Sequence, residues 1–394
     1  MTMQVLFERL APIPPAYPKP WFPMLPVLGR TGAALDPVRP ASRFLERDAR
    51  FTATGAAAIL LALRDAGVGP GDRVVVPAYH CPTMVFPVLA IGAEPLFVPI
   101  EDDLSIRVDR IDAVAEPRTR AVLLPHFFGF AQPQAQAILT WCRAWRAVLI
   151  EDCAHAFYGV EGGFVPGKIG DYAIASTRKF FAGTEGGALV ANRRTLRTRL
   201  PGAPWRLQAR SLVDTLHLAA RIGNLPLTGR GATTPGTGEL DGPVDAQAAL
   251  DEARAQPAGA GEIEASTLER GALLSTVAFV RGANHARSAS VRRARYARWK
   301  ARVAALPGVR ALRDDDPHSG APYVFPALLE DPERQFARLK YAGVQVWRWD
   351  RLARSGCATS RRLAVELVQL PCQQSLDDAR FDALLDAFSE AVSR

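Results

Sequence analysis

From Thr52 onward, short apolar runs bounded by glycine and proline alternate with longer apolar stretches of helical period. Gly55-Ala56-Ala57-Ala58-Ile59-Leu60-Leu61-Ala62-Leu63 predicts a helix that stops at Gly67-Val68-Gly69-Pro70-Gly71, and Arg73 to Val76 predicts a strand ending at Pro77. Pro95 to Pro99 brackets another short strand, and Ala121 to Leu124, Ala147 to Ile150 and Ala188 to Val190 supply three more. Such alternation implies an α/β fold whose large domain has a mostly parallel sheet flanked by helices. The pattern breaks near Arg199. Between Leu225 and Glu264 the chain turns to Thr, Gly, Pro, Ala and Glu with few large apolar residues, which predicts a long, partly mobile loop.

Helical patterning returns at about Thr267. From Arg287 to Leu306, Val291, Tyr296, Trp299, Val303 and Leu306 share roughly one helical face, which leaves Arg292, Arg293, Arg295, Arg298, Lys300 and Arg302 expected on a solvated one. The C-terminal stretch predicts a smaller α+β domain, with strands near Tyr323 to Pro326 and Val344 to Trp347 and a closing helix from Leu376 to Val392. Residues 11 to 40 are studded with proline, and Trp21 and Phe22 among them need a surface to bury against, on their own subunit or a partner. The domain organisation expected is an arm over 1–45, a large domain over 46–285 and a small domain over 286–394. No internal repeats are visible.

Composition narrows the class. With 394 residues, 48% hydrophobic and 22% charged, the chain can bury a large core. The net charge of +8 comes mostly from arginine spread along the sequence, so nucleic acid is not an expected partner. Five scattered cysteines without CxxC spacing indicate neither a disulfide framework nor a zinc site, and no metal is expected. A reducing cytoplasm fits them. Met1 to Leu10 shows no apolar signal core, and Thr83 to Ile100 is interrupted by Pro87, Glu94 and Pro95, which argues against a membrane span.

One constellation carries specific chemistry. The apolar run 147–150 ends in Glu151-Asp152-Cys153-Ala154-His155, which delivers an acid to the C-terminal edge of a buried strand. Lys179 follows Asp152 by 179 − 152 = 27 positions, and Glu185-Gly186-Gly187 opens the next strand. Pyridoxal 5'-phosphate (PLP) needs a lysine to hold its aldehyde as a Schiff base, a carboxylate to keep its pyridine nitrogen protonated, and a phosphate cradle. Lys179 and Asp152 fill the first two roles. The helix start at Thr54-Gly55-Ala56 offers free N–H groups and a hydroxyl to the phosphate. Ser176 is placed for a second phosphate or lysine contact, and His155 for the ring's phenolic oxygen.

These residues resemble the DegT/StrS family of PLP-dependent aminotransferases, which have the aspartate aminotransferase fold (fold type I). The resemblance runs from about Phe51 to Asn192 through Thr54-Gly55-Ala56-Ala57, Val76-Pro77-Ala78-Tyr79, His126-Phe127-Phe128-Gly129, Glu151-Asp152-Cys153-Ala154-His155 and Glu185-Gly186-Gly187-Ala188. It continues in Pro322-Tyr323-Val324-Phe325-Pro326 and Leu370-Pro371. It implies a homodimer with active sites at the interface, an amino acid donor such as glutamate, and a keto or aldehyde acceptor that could be a nucleotide-linked sugar or another biosynthetic intermediate. Departures are also visible. Where the family places an aromatic to stack on the PLP ring, this chain has His80-Cys81-Pro82, so stacking would fall to His80 or to the thinner Cys81. The Ser176-to-Lys179 spacing is short, and the family's Gly-x-Asn-x-Arg stretch has no clear counterpart in 225–270. Besides transamination, two readings stay open: a PLP enzyme of another reaction type (decarboxylation, oxidation or elimination), and a non-catalytic regulatory descendant.

Overall fold

A computed structural model of the chain describes residues 5, 7–11, 17, 18, 20–29, 40–193, 195–225 and 265–393. The expected loop at 225–264 lies outside these residues apart from Leu225.

Among the described residues the largest sheet has seven strands: β2 (Arg50–Thr52), β3 (Arg73–Pro77), β4 (Glu94–Val98), β5 (Thr119–Pro125), β6 (Val148–Asp152), β7 (Tyr172–Ala175) and β8 (Gly187–Ala191). Their order is β2-β8-β7-β6-β5-β3-β4. All neighbours from β4 to β7 pair in parallel, and β8 and β2 close the edge antiparallel. The apolar runs are continuous because both faces are buried. Within each run, successive side chains go to opposite sides: Val75, Val122 and Leu149 join one core, and Val74, Val76, Ala121, Leu123 and Ile150 the other. β7, a four-residue Tyr-Ala-Ile-Ala run, is a strand that periodicity alone did not single out.

A smaller sheet pairs β10 (Val324–Leu329) antiparallel with β9 (Val309–Ala311) and β12 (Leu367–Pro371). Helices His285–Ala304 and Asp378–Ser393 pack on it through Trp299, Phe381 and Phe388. Phe22 of the proline-rich segment buries in this same cluster, and Trp21 packs at its edge, so these two aromatics use their own subunit. Val344 to Trp347 is not a regular strand; it makes a single bridge, Trp347 to Gln369. β1 (Phe7–Arg9) pairs with β11 (Arg351–Ala353).

The arginine-rich helix departs most from expectation. Arg298 and Arg302 reach surface aspartates, but Arg292 and Arg295 are almost fully buried. Both lie on the packed side of the helix, where backbone carbonyls accept hydrogen bonds from them. They are therefore not part of a solvated face.

Candidate functional site

A cavity of about 510 Å³ opens at the C-terminal edge of the parallel sheet, where β5 and β6 deliver Pro125, His126 and Asp152. Thr54, Gly55, Ala56, Cys81, Asp152, His155, Ser176 and Lys179 all line it. Residues that sit up to 125 positions apart in sequence are thus brought together (179 − 54 = 125).

Thr54 caps the helix Gly55–Asp65: its Oγ1 accepts from Ala57 N at 3.1 Å, leaving the hydroxyl proton free to donate. The start of β8 presses against it. A Cβ at Gly187 would stand 2.2 Å from the Thr54 carbonyl oxygen, and one at Gly186 equally close to Thr177 Oγ1, so only glycine fits at both positions. Thr54→Ala is expected to lower stability by about 1 kcal/mol through loss of the cap. A thermal melt checks this, and an unchanged midpoint would contradict it.

Asp152 ends β6 and is buried. Its Oδ1 accepts from Ala154 N at 2.8 Å, and among the described residues no protein donor reaches Oδ2. Burial pushes its carboxyl above the usual range, and the charge of Lys179 opposes that push. Lys179 lies at the end of the short turn Thr177–Lys179. Burial lowers its pKa, while Cys81 and Asp152 pull it the other way. Its Nζ stands 5.2 Å from the Tyr323 ring centroid.

His155 is stacked between Phe128 and Tyr323, with ring centroids 5.1 and 4.8 Å away. Burial and then the positive Lys179 hold its pKa well below the ordinary histidine value, so the ring is neutral at physiological pH. Phe128 N donates to His155 Nδ1 at 3.2 Å, which places the ring proton on Nε2. Phe128 adopts a positive φ of 54° to make this bond, a conformation rare for a bulky residue.

Glu151 points the other way along the strand. Its carboxylate accepts from Gly167, Ile169 and Gly170 N–H groups and pairs with His126 Nε2 at 2.9 Å. Burial opposes its ionisation, but these bonds hold its pKa below the usual value. Cys153 completes a buried trio with His126 and Glu151, yet the carboxylate is already committed to these protein donors, and the trio reads as a structural clasp.

His80 does not reach the cavity. Its side chain stacks on Phe97 at 5.4 Å and accepts from Ala353 N at 3.2 Å, where β1 pairs with β11. Of the two residues on which ring stacking was expected to fall, Cys81 lines the cavity and His80 does not. Sequence reasoning did not single out Trp347, Trp349 and Leu25, which line the cavity, or the Arg270–Glu185 ion pair at its edge. Their only signal was an aromatic pair near Gly343-Val344 and an arginine just past the low-complexity stretch.

The fold is that of known aminotransferases. An aminotransferase, TlmJ, from Streptoalloteichus hindustanus superposes with a TM-score of 0.59 at 20% identity, covering 87% of this chain and 85% of that one. DesV from S. venezuelae superposes with a TM-score of 0.60 at 19% identity, covering 88% and 85%. These define the class: fold type I, with a large mostly parallel sheet and a smaller sheet unit. Within it, residues 44–201 match the model of the DegT/DnrJ/EryC1/StrS aminotransferase family. The chain is 31% identical over 154 residues to a UDP-N-acetyl-3-dehydro-alpha-D-glucosamine 3-aminotransferase of Acidithiobacillus ferrooxidans, covering 38% of this chain and 42% of that protein. It is 30% identical over 173 residues to an L-glutamine:2-deoxy-scyllo-inosose aminotransferase of Streptoalloteichus tenebrarius, covering 43% and 40%. The chain therefore spans about two fifths of the length of these curated relatives. Among the described residues no helix is long and apolar enough to cross a membrane.

Proposed function

We propose that this chain is a PLP-dependent aminotransferase that takes an amino group from glutamate or glutamine and gives it to the ketone of a sugar or sugar-like biosynthetic intermediate. The observation that carries this reading is the convergence on one cavity of a desolvated lysine, a buried carboxylate with one unused oxygen, a neutral histidine and a capped helix start. The donor and acceptor follow the relatives' names, which specify a keto-sugar nucleotide in one case and glutamine with an inosose in another.

The residues fit the group. Asp152 lines the cavity, and among the described residues no protein donor reaches its Oδ2, so this oxygen has the position and charge to hold a protonated ring nitrogen, and that cation would favour the ionised form. His155 would donate from Nε2 to the ring oxygen. Thr54 and Ser176, with the first N–H groups of the helix at Gly55 and Ala56, would hold the phosphate. Bound there, PLP would supply an electron sink for the bonds around the donor's α-carbon. Lys179 would hold the aldehyde and, once displaced by the donor, carry the α-proton; burial keeps part of its amine neutral for that work. Trp347 and Trp349 line the same cavity and offer ring faces to a sugar.

The test is a half-reaction with PLP-loaded protein. Glutamate or glutamine should give its 2-oxo acid in stoichiometric amount and the aminated cofactor. Carbon dioxide or ammonia as the product would indicate another PLP reaction, and no product at all a non-catalytic role.

We also propose a homodimer. Trp205 and Leu212 lie on one face of the helix Trp205–Arg221, Gln208 between them accepts from Leu274 N, and Trp205 and Leu274 are 74% and 73% exposed. The helix borders the cavity through the Thr184–Ser211 hydrogen bond, so this apolar patch is suited to cover by a second copy. Leu274→Asp is expected to weaken the dimer by light scattering on dilution and to release PLP in parallel. A wild-type monomer with full PLP occupancy would refute the proposal.

A further inference from the structure

We propose that Arg292, together with Gln374, is a positioning residue that clamps the Lys179 turn against Tyr323 and so sets how far the lysine amine is withdrawn from water. Arg292 is fully buried in the helix His285–Ala304. Its Nη2 donates to the carbonyl of Lys179 at 2.9 Å, its Nη1 to those of Pro322 and Tyr323 at 3.2 Å each, and its Nε to Gln374 Oε1 at 2.8 Å. Gln374 in turn donates from Nε2 to the carbonyl of Phe180 at 2.7 Å. The guanidinium also lies 4.7 Å from the Phe180 ring centroid.

Two features argue that this cation serves the lysine. Among the described residues no carboxylate pairs with it, so a desolvated charge is held by carbonyl dipoles and the Phe180 ring face, a costly arrangement where a packed apolar side chain would serve stability better. Its acceptors also come from both walls of the site. The turn Thr177–Lys179 carries the amine, and Tyr323 enters β10 and presents the ring on which that amine rests. The five donors of one planar guanidinium can span such a set, and the three of a lysine cannot. A single side chain thus fixes both the backbone from which the lysine hangs and the face against which it lies.

The inference rests on Lys179 being the cofactor lysine, and its test does not require turnover. In cofactor-stripped full-length protein, the rate at which an amine-specific reagent labels Lys179, read by mass spectrometry across pH, reports the amine's pKa. The titratable or polarisable groups facing it are Asp152, Cys81, His155 and Tyr323, all kept in the variants. Burial lowers the lysine pKa, so loosening its seat should move the midpoint upward, toward the ordinary lysine value. Arg292→Met is expected to show this shift, and Gln374→Met the same shift in smaller measure should Arg292→Met fail to fold. Arg295→Met is the control: this second buried arginine bonds the carbonyls of Gln373 and Leu376 and none in the lysine turn, so its loss should cost stability and leave the midpoint in place. A folded Arg292→Met or Gln374→Met protein with the wild-type midpoint, or an equal shift in Arg295→Met, would overturn the proposal. If the shift appears in a protein that never transaminates, the clamp stands and the proposed reaction fails.

Discussion

Lys179→Ala is expected to remain folded and to keep PLP only by non-covalent contacts, while the half-reaction with glutamate falls by at least about 10²–10⁴-fold, the usual worth of a positioned proton-transfer group. The fold should survive because the lysine side chain closes no core; it lines the cavity, and the turn that bears it is held by the carbonyl bonds of Arg292 and Gln374. Amine supplied from solution should restore part of the rate if proton transfer is what was lost. Stopped-flow measurement of 2-oxo acid release checks both points. A Lys179→Ala protein within tenfold of wild type would remove the lysine from the mechanism.

Asp152→Asn is expected to cost about 2–4 kcal/mol in the transition state, or roughly 30-fold to 1000-fold in rate. The substitution keeps the shape and the hydrogen bond from Ala154, because the amide oxygen can still accept it. It removes the charge that would keep a ring nitrogen protonated. The loss should therefore fall on kcat while the thermal midpoint stays near wild type. Near-native kcat would show that Oδ2 has no electronic role.

The large sheet was legible in the sequence because parallel strands buried on both faces write themselves as apolar runs closed by glycine or proline. β3, β4, β5, β6 and β8 each lie where such a run falls. β7 escaped because Tyr172-Ala173-Ile174-Ala175 is short and half alanine, and its strand character comes from pairing with β6 and β8. Val344 to Trp347 has the composition of a strand, but only Trp347 finds a partner, Gln369, and the rest lacks a ladder. Local pattern states what a segment could pair with; the tertiary arrangement decides whether the partner is there.

The same division holds at the site. The strand-end acid, the lysine and the helix cap are local signals, and the residues they single out line one cavity. The orientation of His80 was not, since Phe7 and Ala353, which surround it, come from the two ends of the chain. Arg292 and Arg295 were misplaced for a related reason. A sequence assigns arginine to solvent by default, and the carbonyls that make their burial tolerable belong to Lys179, Pro322, Tyr323, Gln373 and Leu376, visible as partners only after folding.

The most direct measurement is reduction of the PLP-loaded protein with borohydride, followed by peptide mapping. The expected result is one cofactor-sized mass addition per chain on the peptide that contains Lys179, absent from Lys179→Ala. A label on Lys168 or another lysine, or no label at full PLP occupancy, would contradict the central claim.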